Sequence, residues 1–234
     1  MISRKRILAV VPARGGSKGV KLKNLKEVRG VPIVARVADC IQKVPNIDRG
    51  VISTDHDDIA AVAETAGLAA PFRRPENLSG DRIGDWPVLV NALEEMERID
   101  GVTYDVVVML QPTSPLRTPE QVNAVIEKLI SEDLDSVWSV TETDLKYHPL
   151  KALAMTDSGL DFYDPEGSKI IARQQLTPVY HRNGIAYAMT RTCLLEYGNI
   201  KGERCGAVVI DGPSVSIDTL EDFDACERIL SSRE

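Results

Sequence analysis

Four short apolar runs alternate with stretches of helical periodicity, and this alternation limits what the chain can fold into. The runs "ILAVV", "GVIST", "DVVVML" and "SVWSV" are rich in β-branched residues, which is typical of strands buried on both faces. Between them, apolar residues recur at the i, i+3, i+4 and i+7 spacing of a helix face. This order predicts an α/β fold with a doubly wound, mostly parallel sheet.

The alternation lapses from residue 141 to residue 182, where proline, glycine and charged residues are frequent. We expect this segment to be an excursion within a single domain spanning residues 1–234, whose 43% hydrophobic content is enough for one full core. Strands are predicted again at "GIAYAM" and "AVVI". Asp55 is a candidate N-cap for the second helix, and Asp218 or Thr219 for the last one.

Positive charge is concentrated at the start of an acidic chain. The formal net charge is −7, yet the first 26 residues carry eight basic side chains and no acidic one. The remainder has 20 basic against 35 acidic residues, a charge of −15. Such a local concentration favours a small anionic ligand and argues against nucleic acid, whose binding spreads basic residues over a face.

The sequence features that bear on location point to the cytoplasm. The four cysteines are far apart in the chain, which predicts unpaired thiols in a reducing compartment and no zinc site. The apolar run near the N-terminus is too short for the core of a signal peptide. No stretch approaches the roughly 18 apolar residues of a membrane span, so we expect no membrane association.

The loop after the first strand, within "VVPARGGSKGVKLKNL" (residues 10–25), is rich in glycine and cations. It is not a Walker A loop, because Lys18 precedes Gly19, and not a G-x-G-x-x-G fingerprint, because Gly15 and Gly16 are adjacent. Its backbone N–H groups and cations nevertheless suit a polyphosphate. A solvated basic loop is the alternative. Ligands of such sheets bind at the carboxyl ends of strands, where this loop, "STD" and "QPTSPLR" all fall.

Seven motifs, in order, resemble those of the CMP-sialic acid synthetases (acylneuraminate cytidylyltransferases). They are "PARGGSKGVKLKNL", "STD", "RRPENLSGD", "LQPTSPLR", "HPLK", "RQQLTPVYHRNGIAY" and "SIDTLEDF". The resemblance covers nearly the whole chain. It implies a Rossmann-like nucleotidyltransferase fold and a homodimer joined through the excursion. It also implies transfer of CMP from CTP to the anomeric hydroxyl of a nine-carbon 2-keto sugar acid, N-acetylneuraminate or a close relative, with release of pyrophosphate.

The resemblance assigns four residues to the triphosphate, namely Arg14, Ser17, Lys18 and Lys23. Lys23 is best placed to offset charge on the departing pyrophosphate, so we expect catalysis to depend on Lys23, Arg14 and Asp218. One cation where charge develops can supply about a thousandfold in rate. Lys21 and Lys26 match no clear family role and are expected to be solvated.

By the same resemblance, Asn24 and Arg74 recognise the cytosine base, because its ring nitrogen and carbonyl oxygen accept hydrogen bonds. The chain departs from the family after Asp81, where "RIGDWP" replaces a run of small and hydroxyl residues. The hydroxyl expected to touch the base falls at Asp85. Either Asp85 accepts a hydrogen bond from the cytosine amino group or this contact is lost.

Four residues are assigned to the sugar acid, namely Gln111, Asn183, Arg173 and Lys151. The planar guanidinium of Arg173 suits the carboxylate. Lys151, in "HPLK", approaches the site from the excursion, which in this family reaches toward the partner's active site. His148 in the same motif is expected to be structural, and the two other histidines have no assigned role.

A metal ion, Mg²⁺ or Mn²⁺, is implied at Asp218. The family usually has aspartates at both positions that hold the metal, whereas this chain has Ser216 at the first. Mg²⁺ keeps several waters and takes one or two carboxylates, so Asp218 could suffice with triphosphate oxygens. Asp218 could also help the attacking hydroxyl lose its proton.

Two alternatives remain open from the sequence. The same reaction could act on legionaminic acid, pseudaminic acid or an eight-carbon keto sugar acid. The chain could also be a non-catalytic nucleotide- or sugar-binding relative, because Ser216 and the "DRIGDW" segment depart from the family pattern.

Overall fold

The structure is a computed structural model that describes residues 5–232. The strands within it are β1 (Ile7–Pro12), β2 (Glu27–Val28), β3 (Val31–Pro32), β4 (Arg49–Ser53), β5 (Val106–Met109), β6 (Ser136–Glu142), β7 (Leu153–Thr156), β8 (Gly159–Phe162), β9 (Tyr180–Thr190) and β10 (Cys205–Val209). The α-helices are α1 (Ile33–Gln42), α2 (Asp57–Thr65), α3 (Asp85–Asp100), α4 (Pro119–Ser131), α5 (Arg191–Leu195) and α6 (Leu220–Ser231).

Six strands form one sheet in the order β10-β6-β9-β5-β1-β4. Strand β9 runs antiparallel to its neighbours β5 and β6, and the other pairs are parallel. The predicted doubly wound, mostly parallel sheet is therefore confirmed. The antiparallel insertion of β9 is a feature that the strand–helix alternation did not predict, because β9 follows the excursion and no helix.

The core lies on both faces of the sheet. Successive side chains of a strand point to opposite faces, and in β1 they separate into two apolar clusters. Ala9 and Val11 pack with helices α1, α2 and α4. Leu8 and Val10 pack with α3 and α5. All four side chains are fully buried, which is why the strand reads as a continuous apolar run.

A third apolar cluster joins the last helix to the loop after β1. It contains Val20 from that loop, Ile217 and, from α6, Phe223. The N–H of Ile217 also donates to the carbonyl oxygen of Thr113, in the turn after β5, at 2.8 Å. Thr219, one of the two predicted residues, is the N-cap of α6. The segment before α6 is thereby held beside the loop after β1.

Helix α2 begins after His56, and the expectation that Asp55 caps it is wrong. His56 Nδ1 accepts a hydrogen bond from the N–H of Asp58 at 3.2 Å. The Asp55 carboxylate instead accepts from the N–H of Gly15 at 2.8 Å. Asp55 and His56 both precede the first turn of α2, so either could cap it by sequence position. The sequence alone does not show that the N–H of Gly15, in a distant loop, engages Asp55.

The segment between β6 and β9 lies outside the large sheet. Strands β7 and β8 pair antiparallel there in a sheet of their own, and short 3₁₀ turns occupy much of the remainder. Strand β9 begins at Tyr180, which is earlier than "GIAYAM" predicts. The range predicted for the excursion, residues 141–182, includes residues of β6 and β9 at its two ends.

Within residues 5–232, no helix combines the length and the apolar character that a membrane crossing requires. The four cysteines are free thiols. Cys40, Cys193 and Cys226 are buried, and Cys205 is partly exposed.

Candidate functional site

A cavity of about 560 Å³ opens where β1 and β5 end. Five segments that are distant in the sequence contribute to its wall. Its polar side chains are those of Arg14, Ser17, Lys18, Lys23, Asn24, Arg74, Asp85, Gln111, Thr113, Ser216 and Asp218. Nine of the twelve predicted site residues are among them. A neighbouring groove of about 580 Å³ contains Lys21 and Lys26 among mainly apolar residues.

The loop after β1 approaches the segment before α6 so closely that one position must be glycine. A Cβ atom on Gly19 would lie 2.5 Å from the carbonyl oxygen of Asp218, well inside van der Waals contact. Any other residue there would push the two segments apart. Gly19 is therefore required for the close approach of the two segments that form one wall of the cavity.

Lys23 points into the cavity from the end of the same loop. It begins a short 3₁₀ turn, Lys23–Leu25, after Leu22 in the left-handed conformation with φ of 51°. Its Nζ donates to the carbonyl oxygen of Ile217 at 2.7 Å and to Oδ1 of Asp218 at 2.9 Å. The Lys23 side chain is only 15% exposed, whereas that of Asp218 is 76% exposed. The ammonium group is thus held in one place beside an accessible carboxylate.

The Asp81 carboxylate bridges two of the cations predicted to bind the triphosphate. Arg14 Nη1 lies 2.6 Å from its Oδ1, and Lys18 Nζ lies 2.7 Å from its Oδ2. Hydrogen bonds from Lys18 and Arg14 hold the pKa of Asp81 below its usual range. Phosphate oxygens are acceptors of the same kind, so the two side chains can converge on one anionic group.

The two residues predicted to read the base are both buried and anchored. Asn24 Nδ2 donates to the carbonyl oxygen of Arg14 at 3.0 Å. Arg74 Nε donates to Ser53 Oγ at 3.0 Å, and its Nη2 donates to the carbonyl oxygen of Ser53. Burial lowers the pKa of Arg74 to about 10, so the guanidinium stays charged at neutral pH. Both side chains line the cavity from fixed positions.

Asp85, at the start of α3, forms an ion pair that the sequence did not predict. Its Oδ2 accepts from Arg182 Nη2 at 3.0 Å. Arg182 belongs to β9 and lies 97 positions away in the sequence, so no local spacing connects the two. Asp85 lines the cavity and faces it with one carboxylate oxygen already engaged.

Gln111 is positioned by a turn that is bound to the middle of β9. Arg117, which the sequence placed in the motif without a role, donates from Nη2 to the carbonyl oxygens of Gln111 at 2.6 Å and Gly184 at 2.8 Å, and from Nε to that of Ile185 at 2.5 Å. Gly184 has φ of +74°, and a Cβ there would lie 2.5 Å from Ser114 Oγ. The turn "PTSP" is therefore bound to β9 through Ser114 and Arg117.

Arg117→Leu is expected to lower the free energy of unfolding by about 1–3 kcal/mol, because the carbonyl oxygen of Ile185 loses this buried donor. The carbonyl oxygens of Gln111 and Gly184 also lose Arg117 but keep backbone donors. Urea unfolding measures the change. Arg73→Leu is the control, since Arg73 forms an exposed ion pair with Asp57 and should cost less than about 1 kcal/mol. Equal losses for the two variants would contradict the anchoring role of Arg117.

Asn183 is buried, and its side-chain amide is already hydrogen-bonded. Oδ1 accepts from Ser139 Oγ at 2.6 Å and from the N–H of Ile185 at 3.1 Å. Nδ2 donates to Thr141 Oγ1 at 3.1 Å. Asn183 is not among the residues that line the cavity. These bonds make it a support for the β6–β9 pairing, and its predicted contact with the sugar stays a prediction.

Lys151 and Arg173 lie on the excursion and do not line the large cavity of their own chain. They border a separate hollow of about 290 Å³ with an otherwise largely apolar lining that includes Phe162 and Leu176. Both side chains are exposed. Within one chain Lys151 therefore does not reach the site, and its predicted contact with the sugar acid stays a prediction.

The histidines have structural partners. His148 Nδ1 accepts from the N–H of Leu150 at 3.2 Å, and its Nε2 lies 3.1 Å from the carbonyl oxygen of Thr177, in keeping with the structural role predicted for it. His56 caps α2, as described above. His181 Nδ1 lies 2.9 Å from Thr143 Oγ1, so the sequence missed partners for both of these residues.

The carboxylates near α6 have different tasks. Asp222 accepts from the N–H groups of Asp218 and Thr219, both at 2.8 Å, and these bonds hold its pKa below the usual range. Asp222 thus serves the start of the helix, whereas the Asp218 carboxylate, paired with Lys23, lines the cavity together with Ser216. In the described part of the chain, no three or more His, Cys, Asp and Glu residues group as a metal site.

Three comparisons with known proteins agree with this architecture. The sequence profile of the Cytidylyltransferase family matches residues 8–229. The CMP-N,N'-diacetyllegionaminic acid synthase of Legionella pneumophila is 31% identical over 232 residues, which cover 96% of each chain. The pseudaminic acid cytidylyltransferase of Campylobacter jejuni is 29% identical over 218 residues, 93% of each chain.

Among solved structures, a CMP:2-keto-3-deoxy-manno-octonic acid synthetase complexed with CTP superposes with a TM-score of 0.72 at 16% identity, over 98% of this chain and 100% of that one. At this identity the likeness concerns the fold alone. The family profile spans nearly all of β1 to α6, and the strands and helices that carry the cavity lie within it. The chain therefore belongs to the cytidylyltransferase family.

Proposed function

We propose that this cytidylyltransferase transfers CMP from CTP to the anomeric hydroxyl of a nine-carbon 2-keto sugar acid and releases pyrophosphate. The observation that carries the proposal is the cavity, where nine predicted nucleotide, sugar and catalytic residues converge from five segments. The names of two similar enzymes support it, because one is a synthase of a CMP-activated legionaminic acid and the other a cytidylyltransferase of pseudaminic acid.

In this reaction the sugar hydroxyl oxygen attacks the α-phosphorus, and the bond between the α-phosphate and the pyrophosphate breaks. Catalysis of such transfers rests on positioning and charge neutralisation. Arg14, Lys18 and Lys23 would hold the triphosphate, and Gln111 would orient the sugar. Asp218 is available to accept the hydroxyl proton.

The acceptor is proposed to be N,N'-diacetyllegionaminic acid. This choice rests on the identity with the Legionella enzyme; pseudaminic acid and N-acetylneuraminate are the next candidates. The test measures pyrophosphate release from CTP and Mg²⁺ with each acid and with an eight-carbon keto acid. We expect release with one nine-carbon acid to exceed the others. No release with any acid, while CTP still binds, would refute the proposal.

The residues present fit Mg²⁺ or Mn²⁺ with few protein ligands. Asp218 supplies one accessible carboxylate and Ser216 a hydroxyl on the same wall. Mg²⁺ is commonly held by one or two carboxylates together with substrate phosphates. When bound, the ion would neutralise charge on the triphosphate. Asp218 would hold it, with Lys23 beside this carboxylate.

Asp81→Asn is expected to tighten CTP binding by about fivefold, because the variant removes an anion that competes for Arg14 and Lys18 through exposed ion pairs. Calorimetric titration with CTP measures the Kd. Asp57→Asn is the control, since its partner Arg73 lies outside the cavity. Weaker binding by Asp81→Asn would contradict the competition and show that Asp81 helps to hold the nucleotide.

The excursion is proposed to form a homodimer contact. Its exposed apolar side chains include Ile171 at 94%, Met155 at 80% and Tyr163 at 74% exposure. Large exposed apolar groups gathered in one segment are typical of protein interfaces. Lys151 and Arg173 lie in the same segment, so pairing of two chains would offer them the partner's cavity.

Mixing two inactive variants, Lys151→Ala and Lys23→Ala, is expected to restore about a quarter of the activity, because half of the random dimers are mixed and each has one complete site. The measurement is pyrophosphate release after the subunits exchange. Absence of recovery in confirmed mixed dimers would show that Lys151 does not act across an interface.

A further inference from the structure

The start of α3 contributes an unusual wall to the cavity. Ile83 and Val88 supply apolar surface there, and the Asp85 carboxylate lies between them in the sequence. A flat heterocycle can contact such apolar side chains with its face while its edge meets the carboxylate. An ionised carboxylate only accepts hydrogen bonds, so it favours an edge that carries an amino group.

Only one of the two Asp85 oxygens is engaged. Oδ2 accepts from Arg182, and within residues 5–232 Oδ1 has no hydrogen-bond partner. The pair is partly sheltered, with 30% of the Asp85 side chain and 38% of the Arg182 side chain exposed. Arg182 therefore occupies Oδ2 of the carboxylate, and Oδ1 is available to a ligand.

Arg182 is itself held by two aromatic rings. Its guanidinium carbon lies 4.9 Å from the centroid of Trp138 and 4.5 Å from that of Tyr187. The rings meet edge to face at 5.9 Å. Trp138 Nε1 donates to the carbonyl oxygen of Ile200 at 3.1 Å, and Tyr187 Oη accepts from the N–H of Gly184 at 2.5 Å. Anchored rings confine the cation, and the cation in turn confines Asp85.

We propose that Arg182 is a positioning residue that orients Asp85 to read the exocyclic amino group of the base, so that the enzyme selects CTP over UTP. The inference rests on the proposed use of CTP. Cytosine presents a 4-amino donor to Oδ1 of Asp85, whereas uracil presents a carbonyl oxygen that the carboxylate repels. Loss of Arg182 lets the carboxylate turn away and weakens the discrimination without removing the group that makes it.

The test compares kcat/KM for CTP and for UTP with one sugar acid. With UTP, the hydrogen bond to Asp85 is lost and a repulsion between the uracil carbonyl oxygen and the carboxylate is gained. These two effects predict that kcat/KM for CTP exceeds that for UTP by about 100-fold or more in the unchanged protein. Asp85→Asn, whose amide can present a donor or an acceptor, should bring the ratio within about tenfold of one. Arg182→Met should lower the ratio about tenfold, and Arg182→Lys should recover part of it.

Arg191→Met is the matched control. Arg191 pairs with Glu97 of the same helix α3 at 2.9 Å, and neither residue lines the cavity. This variant should keep the CTP to UTP ratio unchanged. Thermal unfolding of all the variants checks that they are folded, and Arg182→Lys keeps the test decisive should Arg182→Met fail to fold.

Three results would overturn the inference. The first is a CTP to UTP ratio of kcat/KM that is unchanged in both Asp85→Asn and Arg182→Lys. The second is a loss of discrimination in Arg191→Met as large as that in Arg182→Met. The third is an Asp85→Asn variant in which only the KM for the sugar acid rises. If the protein turns over no sugar acid, the proposed function fails but the inference can still be tested. Calorimetry on the same variants then gives the Kd values for CTP and UTP, and their ratio decides the inference.

Discussion

Lys23→Met is expected to lower kcat for CMP transfer by about a thousandfold. Ile217 and Asp218 hold the ammonium group in the cavity that Arg14 and Lys18 also line. In the proposed reaction, negative charge develops there on the leaving pyrophosphate. Two unit charges about 4 Å apart interact by about 4 kcal/mol at an effective dielectric constant near 20, which corresponds to about three orders of magnitude in rate. Methionine keeps most of the apolar stem and removes the charge.

The rate of pyrophosphate release at saturating CTP and sugar acid measures this effect. Lys26→Met provides the control, because it removes an exposed cation that lines the neighbouring groove. A Lys23→Met rate within about tenfold of the unchanged enzyme would mean that Lys23 does not stabilise the developing charge.

Asp218→Ala is expected to abolish measurable turnover. This variant removes the accessible carboxylate that would hold Mg²⁺ and leaves Lys23 without its anionic partner. Ser216→Asp should keep the activity or raise it, with half-maximal activity at a lower Mg²⁺ concentration, because it adds a second carboxylate to the same wall.

Asp211→Ala is the control for these variants, since Asp211 is exposed in the segment before α6 and does not line the cavity. A Mg²⁺ titration of pyrophosphate release distinguishes the variants. Near-normal turnover in Asp218→Ala would place the metal elsewhere.

The sheet was predictable because its strands are buried on both faces and therefore consist of continuous apolar residues. The convergence of the loop after β1 with Gln111 followed from the rule that parallel strands present their carboxyl ends at one edge. Residues 216–218 were predicted to belong to the site only through the family resemblance. The helical periodicity of α6 does not show that this helix packs against Val20.

Other features depended on contacts between distant segments. Asp55 is engaged by Gly15, Asn183 by Ser139 and Thr141, and Asp85 by Arg182. Each is a polar side chain whose type suited the predicted role. The partner of each side chain depends on the tertiary structure, which cannot be derived from the spacing of residues in the sequence.

The contact between Lys23 and Asp218 also affects how the protein is made. The two residues are separated by 195 positions, and Asp218 follows every strand of the sheet in the sequence. During translation the ribosome therefore exposes the loop after β1 long before its counterpart exists. Until residues 216–218 have been synthesised, Lys23 lacks both of its partners, so this wall of the site is completed only late in synthesis.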